Sequence, residues 1–328
     1  MVAARGGIRR PFQLTALTGA VLAALALAPK ADASYLLARN ATRMTLKVGT
    51  NGMALVTFRQ AGRWHRVLVW GAVNARPPRR GVPQVRFRID RTGGQARFGK
   101  PLWRTFRDRS RPYDGPALPW LVVAKKAPNG SYWALQRWPR MRPNYGVKPW
   151  IGYQRAWELR LSHWTGAPAR LEVWQDWVYN GRFRHLFGLL SYRGKPVYGF
   201  GSTPNGSPTD PYGRNIYVDT MNSAYGRGWK RENSFLAHRP LGNFCYGFFP
   251  HRLPAHYPNA GARRPAGHGT RVRATVSGPG VTPDVRWAAP GLPAYDPSNP
   301  DHVRHEREMN ALQKAQIASD PNDRCGRP

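Results

Sequence analysis

A chain of 328 residues with 41% apolar side chains, including 13 Trp, 14 Tyr and 12 Phe, can bury a large core, which excludes an intrinsically disordered protein. Its 51 Lys and Arg against 17 Asp and Glu give a net charge of +34, which excludes an acidic solvating protein and points to polyanionic partners. No serine sits in a G-x-S-x-G frame and no phosphate-cradling glycine loop occurs, so acyl-transfer and nucleotide chemistry lose their usual sequence support.

The first 33 residues have the order of a secretory signal. Arg5, Arg9 and Arg10 precede an apolar run from Leu14 to Ala28, and Ala31-Asp32-Ala33 forms a small-x-small cleavage site before Ser34. That run is shorter than the roughly 20 residues a membrane span needs, and no later run replaces it. The segment Arg9-Arg10-Pro11-Phe12-Gln13-Leu14, with Lys30 just past the apolar run, resembles the twin-arginine export signal. That resemblance implies a bacterial protein folded before export; an ordinary charged n-region is the alternative. Residues 34–157 then carry 25 basic groups against Asp90, Asp108 and Asp114 alone. Arginine outnumbers lysine 42 to 9, which GC-rich codon usage accounts for, but codon usage does not account for the scarcity of acids. Outside a cell the expected partners are anionic or neutral polysaccharides of the cell surface, or lipid headgroups. Nucleic acid is disfavoured there, although its phosphates would attract this charge without regard to sequence.

Short alternating strands follow, punctuated by Gly, Pro and Asn. Thr42–Val48 and Met53–Arg59 flank Gly49-Thr50-Asn51-Gly52, and Trp64–Trp70 follows across Ala61-Gly62-Arg63. Residues 84–91 place Val85, Phe87 and Ile89 on one face and Arg86, Arg88 and Asp90 on the other. A cationic loop runs from Arg97 to Pro119. Trp120–Ala124 and Ser131–Trp138 predict a second hairpin, and Ala156–Ser162, Ala169–Val178 and Phe183–Tyr192 an antiparallel meander. Ile216–Thr220, Ser234–Leu236, Phe244–Phe249 and Arg271–Ser277 complete the predicted strands. Trp64, Trp70, Trp120 and Trp133 are expected in the core. Residues 252–269 and 278–300 are rich in Pro and Gly and are expected to wrap the surface. A C-terminal helix is predicted over about 300–319, with Asn299 as cap and Pro300 in its first position. The expected fold is mostly β: an antiparallel β-sandwich or jelly-roll-like single domain over 34–328, with long Pro/Gly loops and one C-terminal helix.

Glu172, Trp174 and Asp176 share one face of a strand, because strand side chains alternate with period two. Two carboxylates beside a tryptophan suit glycan cleavage, with Glu158 as a partner from another strand. This spacing resembles that of laminarinase-like glycosidases, which carry a further acid where Trp174 stands here. Farther on, Arg214, Asp219, Tyr225, Arg227, Trp229, Arg231 and Glu232 form an aromatic and charged segment able to bind an anionic sugar or phosphate. No cofactor or metal is expected: Asn205, Asp210, Asn215 and Asp219 match no calcium loop, and His302, His305 and Glu306 on one helix face lack a further ligand. Cys245 and Cys325 are expected to pair in an oxidising compartment.

The segments WGAVNARPP, RPYDGP, NGSYWALQRW, WELRLSHW, LEVWQDW, YGRNIYVDT, RENSF and FCYGF resemble an uncharacterised family of secreted proteins from high-GC bacteria. That resemblance spans most of residues 35–326 and implies one exported unit without implying an activity. The leading expectation is a secreted or wall-associated bacterial protein that binds anionic or carbohydrate polymers. A glycan-cleaving hydrolase and an exported structural protein without a small ligand are the alternatives.

Overall fold

The computed structural model describes residues 34–76, 85–141, 155–197 and 269–317, with the strand segments 201–202, 208–209, 216–223, 226–230, 235–238 and 243–247. The fold is mostly antiparallel β, with four main sheets packed in two sandwich-like pairs.

In the first pair, sheet I runs β2 (Thr42–Val48), β3 (Met53–Gln60), β4 (Arg63–Gly71) and β5 (Phe87–Asp90). Sheet II lies opposite, in the order β1 (Tyr35–Arg39), β9 (Arg155–Trp164), β8 (Tyr132–Met141), β7 (Leu121–Lys126) and β6 (Arg111–Pro112). Between them lie Leu46, Val56, Phe58, Val67 and Val69 from sheet I and Leu37, Trp133, Leu135, Leu159 and Leu161 from sheet II. The β3–β4 hairpin turns on Ala61 and Gly62, both at positive φ (46° and 79°), the handedness that a two-residue turn between twisted strands requires.

Sheet I departs from simple alternation. Leu55 and Leu68 point away from the sandwich core yet are buried. Residues 91–110 roof that outer face. They carry a short helix, α1 (Gln95–Phe98), and a 3-10 turn at Leu102–Arg104. The roof is fastened at its far end, where Arg109 N–H donates to Val48 O and Val48 N–H donates to Asp108 Oδ1. Much of the stretch predicted as a cationic loop therefore covers a sheet.

In the second pair, sheet III runs β10 (Arg170–Val178), β11 (Phe183–Tyr192), β18 (Asn243–Gly247) and β17 (Phe235–His238), with β12 (Lys195–Pro196) folded onto β11. Sheet IV runs β16 (Gly226–Lys230), β15 (Ile216–Ser223), β19 (Arg271–Val276) and β20 (Val285–Pro290). Val173, Leu186, Leu190 and Phe244 meet Ile216, Val218, Val272 and Ala274 between them. A two-residue ladder pairs β13 (Gly201–Ser202) with β14 (Pro208–Thr209). The helix α2 (Pro300–Ile317) lies on the outer face of sheet III, where Met309 and Leu312 pack with Phe187, Cys245 and Trp174.

Three expectations need correcting. The predicted meander is broken: β9 pairs with β1 and β8, whereas β10 and β11 belong to another sheet, because the chain leaves sheet II at Thr165. Residues 278–284 do not wrap the surface but are buried, since side chains of sheet II supply partners for their backbone. Ser162 Oγ–H donates to Thr282 O, Gln136 Nε2–H to Asp284 O, and Asp284 N–H to Gln136 Oε1. Trp64 is not core; it is 46% exposed near the start of β4, and Trp70 at the other end is half-buried.

Candidate functional site

The carboxylates predicted for glycan cleavage do not converge. Glu158 is buried on β9, where it accepts from Arg160 (2.7 Å) and Arg39 (3.3 Å). Glu172 pairs with Arg170 at 2.7 Å on β10. Asp176 is buried and sits opposite His185 on β11, whose Nδ1 lies 2.6 Å from Asp176 Oδ1. Trp174 stacks on Phe187 and lies beneath α2, so it offers no exposed platform for a sugar. A strand pattern places three side chains on one face but cannot report a helix arriving 130 residues later to cover it.

The second predicted cluster is brought together in part. Arg273 forms a forked ion pair with Asp219, with Nε–H donating to Oδ1 at 2.8 Å. Its guanidinium carbon lies 4.1 Å from the Trp229 ring centroid and 4.6 Å from that of Trp120. The neighbouring crevice, lined by Trp120, Trp138, Tyr217 and Asp219, holds about 10 Å³, barely the room one water needs. Arg227 is exposed on β16. Arg214, Tyr225, Arg231 and Glu232 lie outside the described residues, as do Cys325, Asn205, Asp210, Asn215 and the leader 1–33. Cys245 is buried under α2.

On the helix, the predicted trio serves docking. His302 Nδ1 accepts from Asp296 N–H, His305 Nε2 lies 2.8 Å from Gln175 O, and Glu306 accepts from Tyr295 OH. No group of three or more metal-ligating side chains occurs among the described residues, and no described helix is long and apolar enough to cross a membrane.

The site that combines space, charge and an aromatic surface lies elsewhere, at the edge of sheet I. An open cleft of about 700 Å³ is lined by Trp70 from β4, Arg88 and Asp90 from β5, Arg91 and Thr92 from the following turn, and Arg97 from α1. Trp70 and Arg88 are directly opposed across β4 and β5, which brings their Cβ atoms within about 5.5 Å. The Phe98 ring stands 5.7 Å from Trp70, and Phe98 is exposed. Arg91 Nη2–H donates to Tyr35 OH at 3.1 Å, which holds its guanidinium to one side.

Asp90 builds this cleft. Its carboxylate is 4% exposed and accepts from Thr92 N–H, the Thr92 hydroxyl and Arg97 N–H, clamping the turn that carries Arg91 and Arg97. Burial pushes its pKa up, but these hydrogen bonds outweigh that and hold it below the ordinary aspartate value. Gly93 completes the turn at φ +69°, where an added Cβ would stand 2.6 Å from the Trp103 ring. The Trp103 ring is itself covered by Arg66, 3.9 Å from its centroid.

Of the three other acids of the first pair of sheets, Glu158 pairs with Arg39 and Arg160, and Asp108 and Asp114 are engaged locally. Asp108 accepts from Val48 N–H and Ser110 and faces Lys125 at 3.6 Å; Asp114 pairs with Lys126 at 2.7 Å and accepts from Tyr132 OH. Among the described residues neither pairs with an arginine, and Arg88, Arg91 and Arg97 line the cleft with no carboxylate paired to them in a described ion pair. Sequence reading missed this site. Arg88 was legible on an outward strand face, but Trp70 shares its alternation with core residues, and nothing local says that α1 will stand beside it. No family model, no curated protein and no solved structure matches the chain, so its function has to be read from its own residues.

Proposed function

We propose that the protein is exported and binds an anionic polymer of the bacterial cell surface through the arginine-rich face of its first pair of sheets, centred on the cleft at Trp70. The observation that carries this reading is the local engagement of Asp90, Asp108 and Asp114. Two of them neutralise lysines, and the third is saturated by hydrogen bonds of its own turn. Glu158 takes up Arg39 and Arg160, but Arg88, Arg91 and Arg97 remain exposed, and guanidinium forks match carboxylate, sulfate and phosphate groups. Catalytic cleavage is the weaker reading, since Glu158, Glu172 and Asp176 are each paired separately.

Retention on an immobilised sulfated polysaccharide tests it. The full chain should be retained at low salt and released by about 0.5 M salt, where exposed charges are strongly screened. Replacing Arg88 and Arg97 by Ala together should move elution to lower salt. Passage through the column at low salt, or retention indifferent to salt, contradicts the reading.

A further inference from the structure

We propose that the cleft at Trp70 is a subsite for one anionic sugar residue, a pyranose bearing a carboxylate or sulfate, within such a polymer. This rests on the polyanion reading and adds to it the chemistry of the bound unit. A site for bare phosphate or sulfate charge needs only donors. Here three arginines line a cleft together with a half-buried indole, beside which stands an exposed phenyl ring, apolar surfaces that an inorganic polyanion would leave in contact with water. A pyranose offers one apolar C–H face and one polar edge. Laid on Trp70, its ring covers the indole, while an equatorial carboxylate or sulfate reaches the forks of Arg88 and Arg97.

The donor set also separates a sugar from a nucleobase. Arginine donates and cannot accept, and the carboxylate at the site, Asp90, is buried with both oxygens already bonded to its own turn. A stacked adenine or cytosine would present its amino donors to a rim of donors, whereas a carboxylate or sulfate only accepts. Single-stranded nucleic acid is moreover held by successive stacking platforms. The next ring on this roof, Trp103, is capped by Arg66 and flanked by Arg104. At about 700 Å³ the cleft lies within the roughly 300–1,000 Å³ of small-ligand sites.

Calorimetric titration of the full chain tests this with four probes: hexagalacturonate, a charge-matched inorganic polyphosphate, a charge-matched oligodeoxythymidylate and neutral maltohexaose. Hexagalacturonate should bind at least tenfold more tightly than the other three. Trp70→Ala should weaken it about tenfold and polyphosphate less than twofold, and Trp70→Phe should restore most of the loss at an unchanged melting temperature. Equal binding of hexagalacturonate and polyphosphate, with Trp70→Ala neutral for both, overturns the sugar subsite and leaves the polyanion reading standing. Tighter, Trp70-dependent binding of the oligonucleotide also overturns it. Binding of none of the three anionic probes overturns both.

Discussion

The indole N–H of Trp138 donates to the buried carboxylate of Asp284 at 2.7 Å, tying strand β8 of the first pair of sheets to the residue that precedes the last strand of the second. Gly278 N–H donates to the other oxygen of the same carboxylate at 2.9 Å, and Arg160 stands 4.0 Å away. Burial raises the pKa of Asp284 above the ordinary aspartate value, against the pull of Arg160 and these donors.

Removing that carboxylate should be costly. Asp284→Ala leaves the Trp138 and Gly278 donors unmatched and takes one of two carboxylates from Arg160, and should destabilise by about 3–5 kcal/mol. Asp284→Asn keeps an acceptor and should lose about half as much. Chemical denaturation of both variants checks the order; an alanine variant as stable as the parent contradicts the role given to this contact.

His163 predicts a pH dependence. It stacks 3.8 Å from Trp133, its Nδ1 lies 2.9 Å from Gly71 O and its Nε2 lies 2.9 Å from Ser131 Oγ. Burial lowers its pKa from 6.5 to about 4, although the Gly71 carbonyl pulls the other way. Between those values the unfolded chain takes up a proton that the folded chain refuses. Stability should therefore be complete above pH 6.5 and fall as the pH drops toward 4, by about 3 kcal/mol from this group. Denaturation at pH 7 and pH 4.5 should show a smaller difference for His163→Gln than for the parent; equal differences contradict the assignment.

Arg273 should not tolerate lysine. Its guanidinium carbon lies within 4.6 Å of two indole centroids while its fork holds Asp219, and an ammonium has neither the flat face nor the two-pronged geometry to do both. Arg273→Lys and Arg273→Ala should each cost about 3 kcal/mol, because a buried carboxylate is left poorly paired. The double variant Asp219→Asn/Arg273→Met should be more stable than Arg273→Met alone, and thermal scans of these two variants beside the parent decide it; a double variant no more stable than Arg273→Met contradicts the account.

The strands themselves were legible from period-two patterns and turn residues. The span of β11 is the predicted one, and β2, β3, β4 and β19 end within a residue or two of prediction. What covers them was not. Leu55 and Leu68 alternate with core residues yet are buried on the opposite face, since the 91–110 roof is assembled from loop residues that carry no period. β20 lay hidden in a Pro- and Gly-rich stretch because its partner β19 supplies the order. The same gap explains the site: Trp174 was a plausible platform until α2 covered it, and Trp70 a plausible core residue until sheet I ended beside it.

The proposed export would carry two chemical consequences. Intact mass should be about two units below the reduced value, with Cys245 and Cys325 resisting alkylation until reduction; ready alkylation of both contradicts their pairing. Ser34 is buried, with its N–H on Gly278 O and its carbonyl receiving Arg160 Nη1–H. Cleavage before Ser34 would place an α-ammonium in the network of Asp284. A chain beginning there should melt higher at pH 7 than one extended by a few residues; no difference contradicts that placement.

The most direct test of polyanion recognition is the slope of log K against log salt for a sulfated polysaccharide, measured on the parent and on Arg88→Ala/Arg91→Ala/Arg97→Ala. The account predicts a steep negative slope that becomes shallower by about one for each arginine removed. A parent slope near zero, or an unchanged slope in the triple variant, would contradict it.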